Sequence, residues 1–190
     1  MSELESEARP ILEPMLHGET RILDRERQEL LALWTVKTAT MLEFLYPQER
    51  AIQLTDAAWI FERREPPPRS MVWIASYRGA AYNSFYRHDV IQLPEWGAPI
   101  DQVEREHDAP VPPPVAYGVN FGVRHVAFQI FGTTEERHTF GHRRWVAEAF
   151  DRIWPVQDAI TWPPVKTLDD HTLPQVLNLF ATADRRRPSD

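Results

Sequence analysis

A proline triplet, Pro66-Pro67-Pro68, separates two parts of the chain that follow different hydrophobic periods. Before it, apolar residues return every three or four positions, the spacing of one face of an α-helix. In LDRERQELLALWTVKTATMLEFLYP that face is marked by Leu30, Leu33, Trp34, Lys37, Met41, Phe44 and Leu45. Asp24 is placed to cap this helix, because its carboxylate accepts from first-turn N–H groups that lack a helical partner. Pro47 closes it, since proline disfavours helix in the residue before it. Thr55 offers a second cap, for a helix through DAAWIFERR that stops at the triplet. Leu4 to Leu16 also has helical spacing but contains Pro10 and Pro14, which predicts a short helix or broken helical turns ending at His17-Gly18.

Beyond the triplet the pattern turns to β structure. SMVWIASYRG (70–79) is rich in β-branched and aromatic residues and is bounded by prolines and a glycine, the signature of a strand. YNSFYRHDVIQL (82–93) follows closely enough to pair with it as a hairpin. The stretch from Pro94 to Pro114 reads as a long acidic, proline-rich loop. VAYGVNFGVRHVAFQIFG (115–132) gives two apolar runs divided at Gly122, a second hairpin. Helix is expected again in HRRWVAEAFDRIW (142–154) and TLPQVLNLFATA (172–183), with the steps Trp154-Pro155 and Trp162-Pro163 between them. The expected fold is α+β: a mainly antiparallel sheet of about four strands with helices packed on one face. One domain spans 1–184, followed by a polar tail, 185–190.

Composition narrows the function classes. A hydrophobic content of 43% and seven tryptophans suit a folded core and argue against disorder. With no cysteine, disulfides, thiol catalysis and cysteine zinc sites are excluded. No apolar run approaches the roughly 20 residues of a membrane helix. The acidic start MSELESEARP is unlike a secretory or mitochondrial leader, so a cytoplasmic protein is expected. A net charge of −7 disfavours direct contact with the polyanionic backbone of nucleic acid.

Candidate chemistry is sparse. His138 and His142 have i, i+4 spacing, which on a helix puts both imidazoles on one face; Asp169, Asp170 and His171 would complete a hard metal site if the segments met. The zincin glutamate is absent, and Gly141 interrupts a helix through both histidines. The plainer reading is exposed polar residues, with a helix cap near Asp170 or Thr172. Lys37 lies in an apolar stripe, where a buried amine can act as a base, although such lysines more often run their methylenes along the core edge to a carboxylate. Arg143 and Arg144 form a small basic cluster that suits a phosphate or a solvated face. No phosphate-binding glycine loop or nucleophile elbow occurs. Trp154 and Trp162 suit either an aromatic cage or a strap, in which proline keeps the chain extended and each indole anchors it.

Five stretches occur together, in order, in a family that the chain resembles. They are MSELESEARPILEPMLHGE, LALWTVKTATMLEF, REPPPRSMVWIASYRG, VRHVAFQIFG and IWPVQDAITWPP. The chain is similar, over nearly its whole length, to the C-terminal module of actinobacterial HNH-endonuclease-like proteins. In that family a cysteine-containing nuclease segment leads into the equivalent of MSELESEA. This sequence starts at that junction, as expected of a trimmed longer protein or a free-standing module, and no position in it matches a catalytic motif of the family, so no catalytic residue carries over. The resemblance implies a non-catalytic accessory domain without a cofactor, binding a protein partner or itself, and reaching DNA only through an associated nuclease. Two alternatives stay open. One is a small metal-dependent enzyme using the His/Asp cluster, and the other is a small-ligand sensor with its pocket under the Trp-Pro strap.

Overall fold

In the computed structural model the described residues are 3–45, 51–92, 115–133 and 144–177. They form an α+β fold built on an antiparallel sheet. Helix α1 (Glu3–Leu16) buries Ala8, Leu12 and Met15, an i, i+4, i+7 stripe, against α2 (Arg25–Glu43). It runs unbroken through Pro10 and Pro14, as the short helix that the spacing predicts. Each proline removes one N–H bond, and burial of the stripe offsets that loss. The Asp24 cap holds: its Oδ1 accepts from Arg27 N at 3.0 Å. Helix α3 (Leu54–Arg63) is different, because Gln53 stands at its cap without a side-chain bond and Thr55 lies inside the first turn.

Strands β2 (Ser70–Ser76), β3 (Ser84–Gln92), β4 (Val115–Val123), β5 (Val126–Thr133) and β6 (Phe150–Trp154) form one sheet in the order β3-β4-β5-β2-β6. All four pairings are antiparallel. The sheet is therefore larger than expected, and a second, two-stranded sheet joins β1 (Arg21–Leu23) to β7 (Ile160–Trp162). The β4–β5 hairpin forms, turning at Arg124-His125, while Gly122 stays inside β4. The expected hairpin between 70–79 and 82–93 does not form. Strand β2 pairs with β5 and β6, and β3 lies at the far edge on β4.

The physical reason is burial. Val72, Trp73, Ile74 and Ala75 are all buried, so β2 needs cover on both faces and a neighbour on both sides. On one face Val72, Ile74, Val119, Phe121, Phe128 and Ile130 pack against α1 and α2. There Phe121 stacks on Phe128 at 4.9 Å and Trp34 tilts over Phe128 at 5.6 Å. The other face carries Trp73, Ala75, Tyr77 and Phe131. It packs against Val146 of the short helix α4 (Arg144–Ala147), Leu168, and Leu173 and Val176 of α5 (Thr172–Leu177).

Within the stretch 142–154, expected as helix, the described residues form α4 followed by strand β6. Phe150 turns to the second face while Ile153 joins the α1–α2 core. Alternation along β6 gives that switch of face, and a bulge opposite Val72 and Trp73 lets Trp154 join the same core as Ile153.

Candidate functional site

The Trp-Pro strap is a structural closure. Trp162 is fully buried within the α1–α2 core, and Trp154 packs, half-buried, against the same cluster. Both Trp-Pro peptide bonds are cis. From α2, the buried Gln28 donates through Nε2 to Leu23 O at 2.7 Å and to Asp158 O at 2.8 Å, tying the strap to β1. The indole nitrogens of Trp154 and Trp162 are buried without a hydrogen-bond partner. The rings contribute buried area and no displayed donor.

The acidic pair behind the strap has two structural tasks. Asp169 caps α5: its Oδ1 accepts from Thr172 N at 2.8 Å and His171 N at 3.0 Å, while Thr172 Oγ1 accepts from Asp169 N at 2.8 Å. The cap thus falls near Asp170 and Thr172 as expected, one residue before the first and with the second as its reciprocal partner. Asp170 turns the other way. Its carboxylate accepts the Tyr77 phenol and the N–H groups of Ala80 and Ala81, both at 3.0 Å. Gly79 makes this possible, because a Cβ there would overlap the Asp170 carboxylate and the Tyr77 ring.

Hydrogen bonds, led by Thr172 for Asp169 and by Tyr77 for Asp170, hold both carboxyls below their usual range. They stay ionised acceptors, the opposite of a general acid. His171 meets Gln175 Nε2 at 3.0 Å.

His138, His142 and Arg143 lie outside the described residues, as does the side chain of Arg144, whose backbone opens α4. Among the described residues no group of three or more His, Asp or Glu side chains is arranged to hold a metal ion. The same residues include no helix long and apolar enough to cross a membrane. Lys37 takes the edge role: its Nζ donates to Glu5 Oε1 of α1 at 2.7 Å, with the side chain 18% exposed.

The densest polar cluster was not anticipated. Glu43, 1% exposed at the end of α2, accepts from the Tyr86 phenol and lies 2.6 Å from His88 Nδ1. Its other oxygen accepts from Ala51 N, and from Ile52 N at 3.3 Å. Beside it the buried Tyr117 donates to Asp56 Oδ2 at 2.9 Å. Burial pushes the Asp56 carboxyl up against the opposing pull of Tyr117 and Arg69. Burial, then the Asp56 and Glu43 carboxylates, push the Tyr117 phenol well up, so it remains a neutral donor.

Glu43 accepts at every lone-pair position it has, which makes it an anchor for the segment between α2 and α3 rather than a base. One signal was available: Val36, Ala39 and Glu43 share a helical face at i, i+3 and i+7, which puts a carboxylate in a buried stripe.

By drawing the start of α3 to the end of α2, Glu43 also assembles an apolar surface. Leu54 and Phe61 are each 63% exposed, and Ala58 between them is exposed, while Ala57 and Ile60 face inward. Met41 and Leu45 at the end of α2 are 47% and 69% exposed. No protein-family model, curated protein or solved structure matches the chain.

Proposed function

We propose that the chain is a non-catalytic interaction module that docks a protein partner on the surface formed by α3 and the end of α2. The observation that carries this reading is the outer stripe of α3, with Leu54, Ala58 and Phe61 at i, i+4 and i+7 on the side away from the core. A helix apolar on both sides is disfavoured in water unless its outer side meets a partner. The well-filled acceptor set of Glu43 and the ionised, hydrogen-bonded Asp169 and Asp170 also suit a module whose polar groups hold shape.

The resemblance to the module that follows an HNH segment names the partner class: a nuclease domain that this module positions. Net charge of −7 favours contact with protein over direct contact with DNA. The reading is tested by titrating the chain with an HNH-type nuclease domain of the resembled family and repeating the titration with Leu54→Glu and Phe61→Glu.

A further inference from the structure

The hairpin between β4 and β5 turns on two residues, Arg124 and His125. Arg124 has φ of 51°, a left-handed conformation that is strained for a residue with a Cβ. Glycine or asparagine would serve the turn better, so the turn does not account for an arginine there. Its backbone N–H donates to Asn83 O at 2.9 Å, which fixes the turn against the segment before β3. The guanidinium has no hydrogen-bond or ion-pair partner among the described residues.

Arg124 lines an open cleft of about 430 Å³ together with His17, Gly79, Tyr82, Asn83 and His125. The two histidines are set alike. His17 Nδ1 lies 2.7 Å from Glu13 O, and His125 Nδ1 lies 3.1 Å from Tyr77 O. A carbonyl oxygen only accepts, so in each neutral ring Nδ1 carries the hydrogen and Nε2 the lone pair. The Cδ2 of His125, bonded to that Nε2, is 3.8 Å from where a Gly18 side chain would begin. That edge of His125 is thus turned toward Gly18, the chain neighbour of His17.

Among the described residues no carboxylate lines the cleft. The nearby acids are engaged elsewhere: Glu13 with Arg9, Glu19 with Arg21, and Asp170 with Tyr77, Ala80 and Ala81. In a chain of net charge −7, a cleft with a guanidinium and no acid selects an anion. A divalent cation would meet the imidazole nitrogens but also the charge of Arg124. The lone pairs add a second requirement, since they favour an oxyanion that keeps an O–H to donate.

We propose that this cleft binds a protonated phosphate group, either inorganic phosphate or the terminal phosphate of a small molecule. The ionised oxygens meet Arg124 and the hydroxyl donates to a histidine Nε2.

Calorimetric titration of the full chain with sodium phosphate, and with sodium sulfate at matched ionic strength, tests this. Expected are saturable 1:1 phosphate binding and sulfate binding about tenfold weaker, because sulfate has no O–H. Arg124→Gly should weaken phosphate binding by at least about tenfold without lowering Tm, since glycine accepts the positive φ. His17→Ala and His125→Ala should bring phosphate down to the level of sulfate. A small phosphorylated molecule that competes with inorganic phosphate identifies the source as a terminal phosphate. Equal binding of phosphate and sulfate, or no loss in Arg124→Gly, overturns the proposal. So does tighter binding of a DNA oligonucleotide lacking terminal phosphate, whose diesters have no O–H. Zinc binding that needs both histidines, without phosphate binding, overturns it in favour of a metal.

Discussion

Glu43 and His88, 45 residues apart in sequence, meet through a 2.6 Å contact between a buried carboxylate oxygen and an imidazole nitrogen. With Tyr86 and the amides of Ala51 and Ile52 on the same carboxylate, this contact joins α2, the start of α3 and the edge strand β3. Glu43→Ala would leave those donors buried without an acceptor. The expected loss is about 3 kcal/mol, read from urea unfolding at neutral pH. A loss under about 1 kcal/mol would contradict the anchoring role.

Asp56 gives a pH signature of definite sign. Burial raises its carboxyl above its ordinary value of 3.8, so from about that pH upward the folded state holds the proton more firmly than the unfolded chain. The folded state then binds more protons, and this contribution to stability falls as pH rises through the window between the two pKa values. Asp56→Asn removes that fall while keeping an oxygen to accept from Tyr117. Stability of the Asp56→Asn variant relative to wild type should therefore increase from about pH 3 to about pH 6. Asp169 and Asp170, held below their usual range, contribute the opposite slope in both proteins and cancel in the difference. A difference that stays flat or declines over that range would contradict the assignment.

The two tryptophans of the strap should differ in weight. Trp162 is fully enclosed and Trp154 only half-buried. Trp162→Ala should cost about 3–5 kcal/mol and release β7 from β1, with early hydrogen exchange at the Leu23 and Ile160 amides. Trp154→Ala should cost less. Equal losses, or a Trp162→Ala variant that keeps β7 protected, would show that the strap is held by something other than its second indole.

Local signals were legible where a single element decides the outcome. Asp24 caps α2 as its position implies, and the 115–132 stretch pairs as a hairpin. Pairing between distant segments was not legible. The short gap between 70–79 and 82–93 suggested a hairpin, yet β2 is buried on both faces and takes β5 and β6 as neighbours. A near-continuous apolar run is the mark of a central strand, and that signal outweighs proximity in the chain.

The error at 142–154 has a related cause. Phe150 and Ile153 are three residues apart, which suits one helix face equally with the two faces of a strand. The Glu43 cluster depends on α2 and β3 meeting in space, which spacing within either segment does not report. His88 and Tyr86, two apart on one strand, gave only the shared face.

The outer stripe of α3 is the proposed docking surface. Its most direct test is the affinity of the chain for an HNH-type nuclease domain of the resembled family, compared between wild type and a Leu54→Glu/Phe61→Glu double variant. Both residues are exposed, so the double variant should keep wild-type stability within about 1 kcal/mol while its affinity falls at least about tenfold. Undiminished affinity in the double variant, or no binding by the wild-type chain, would contradict the account.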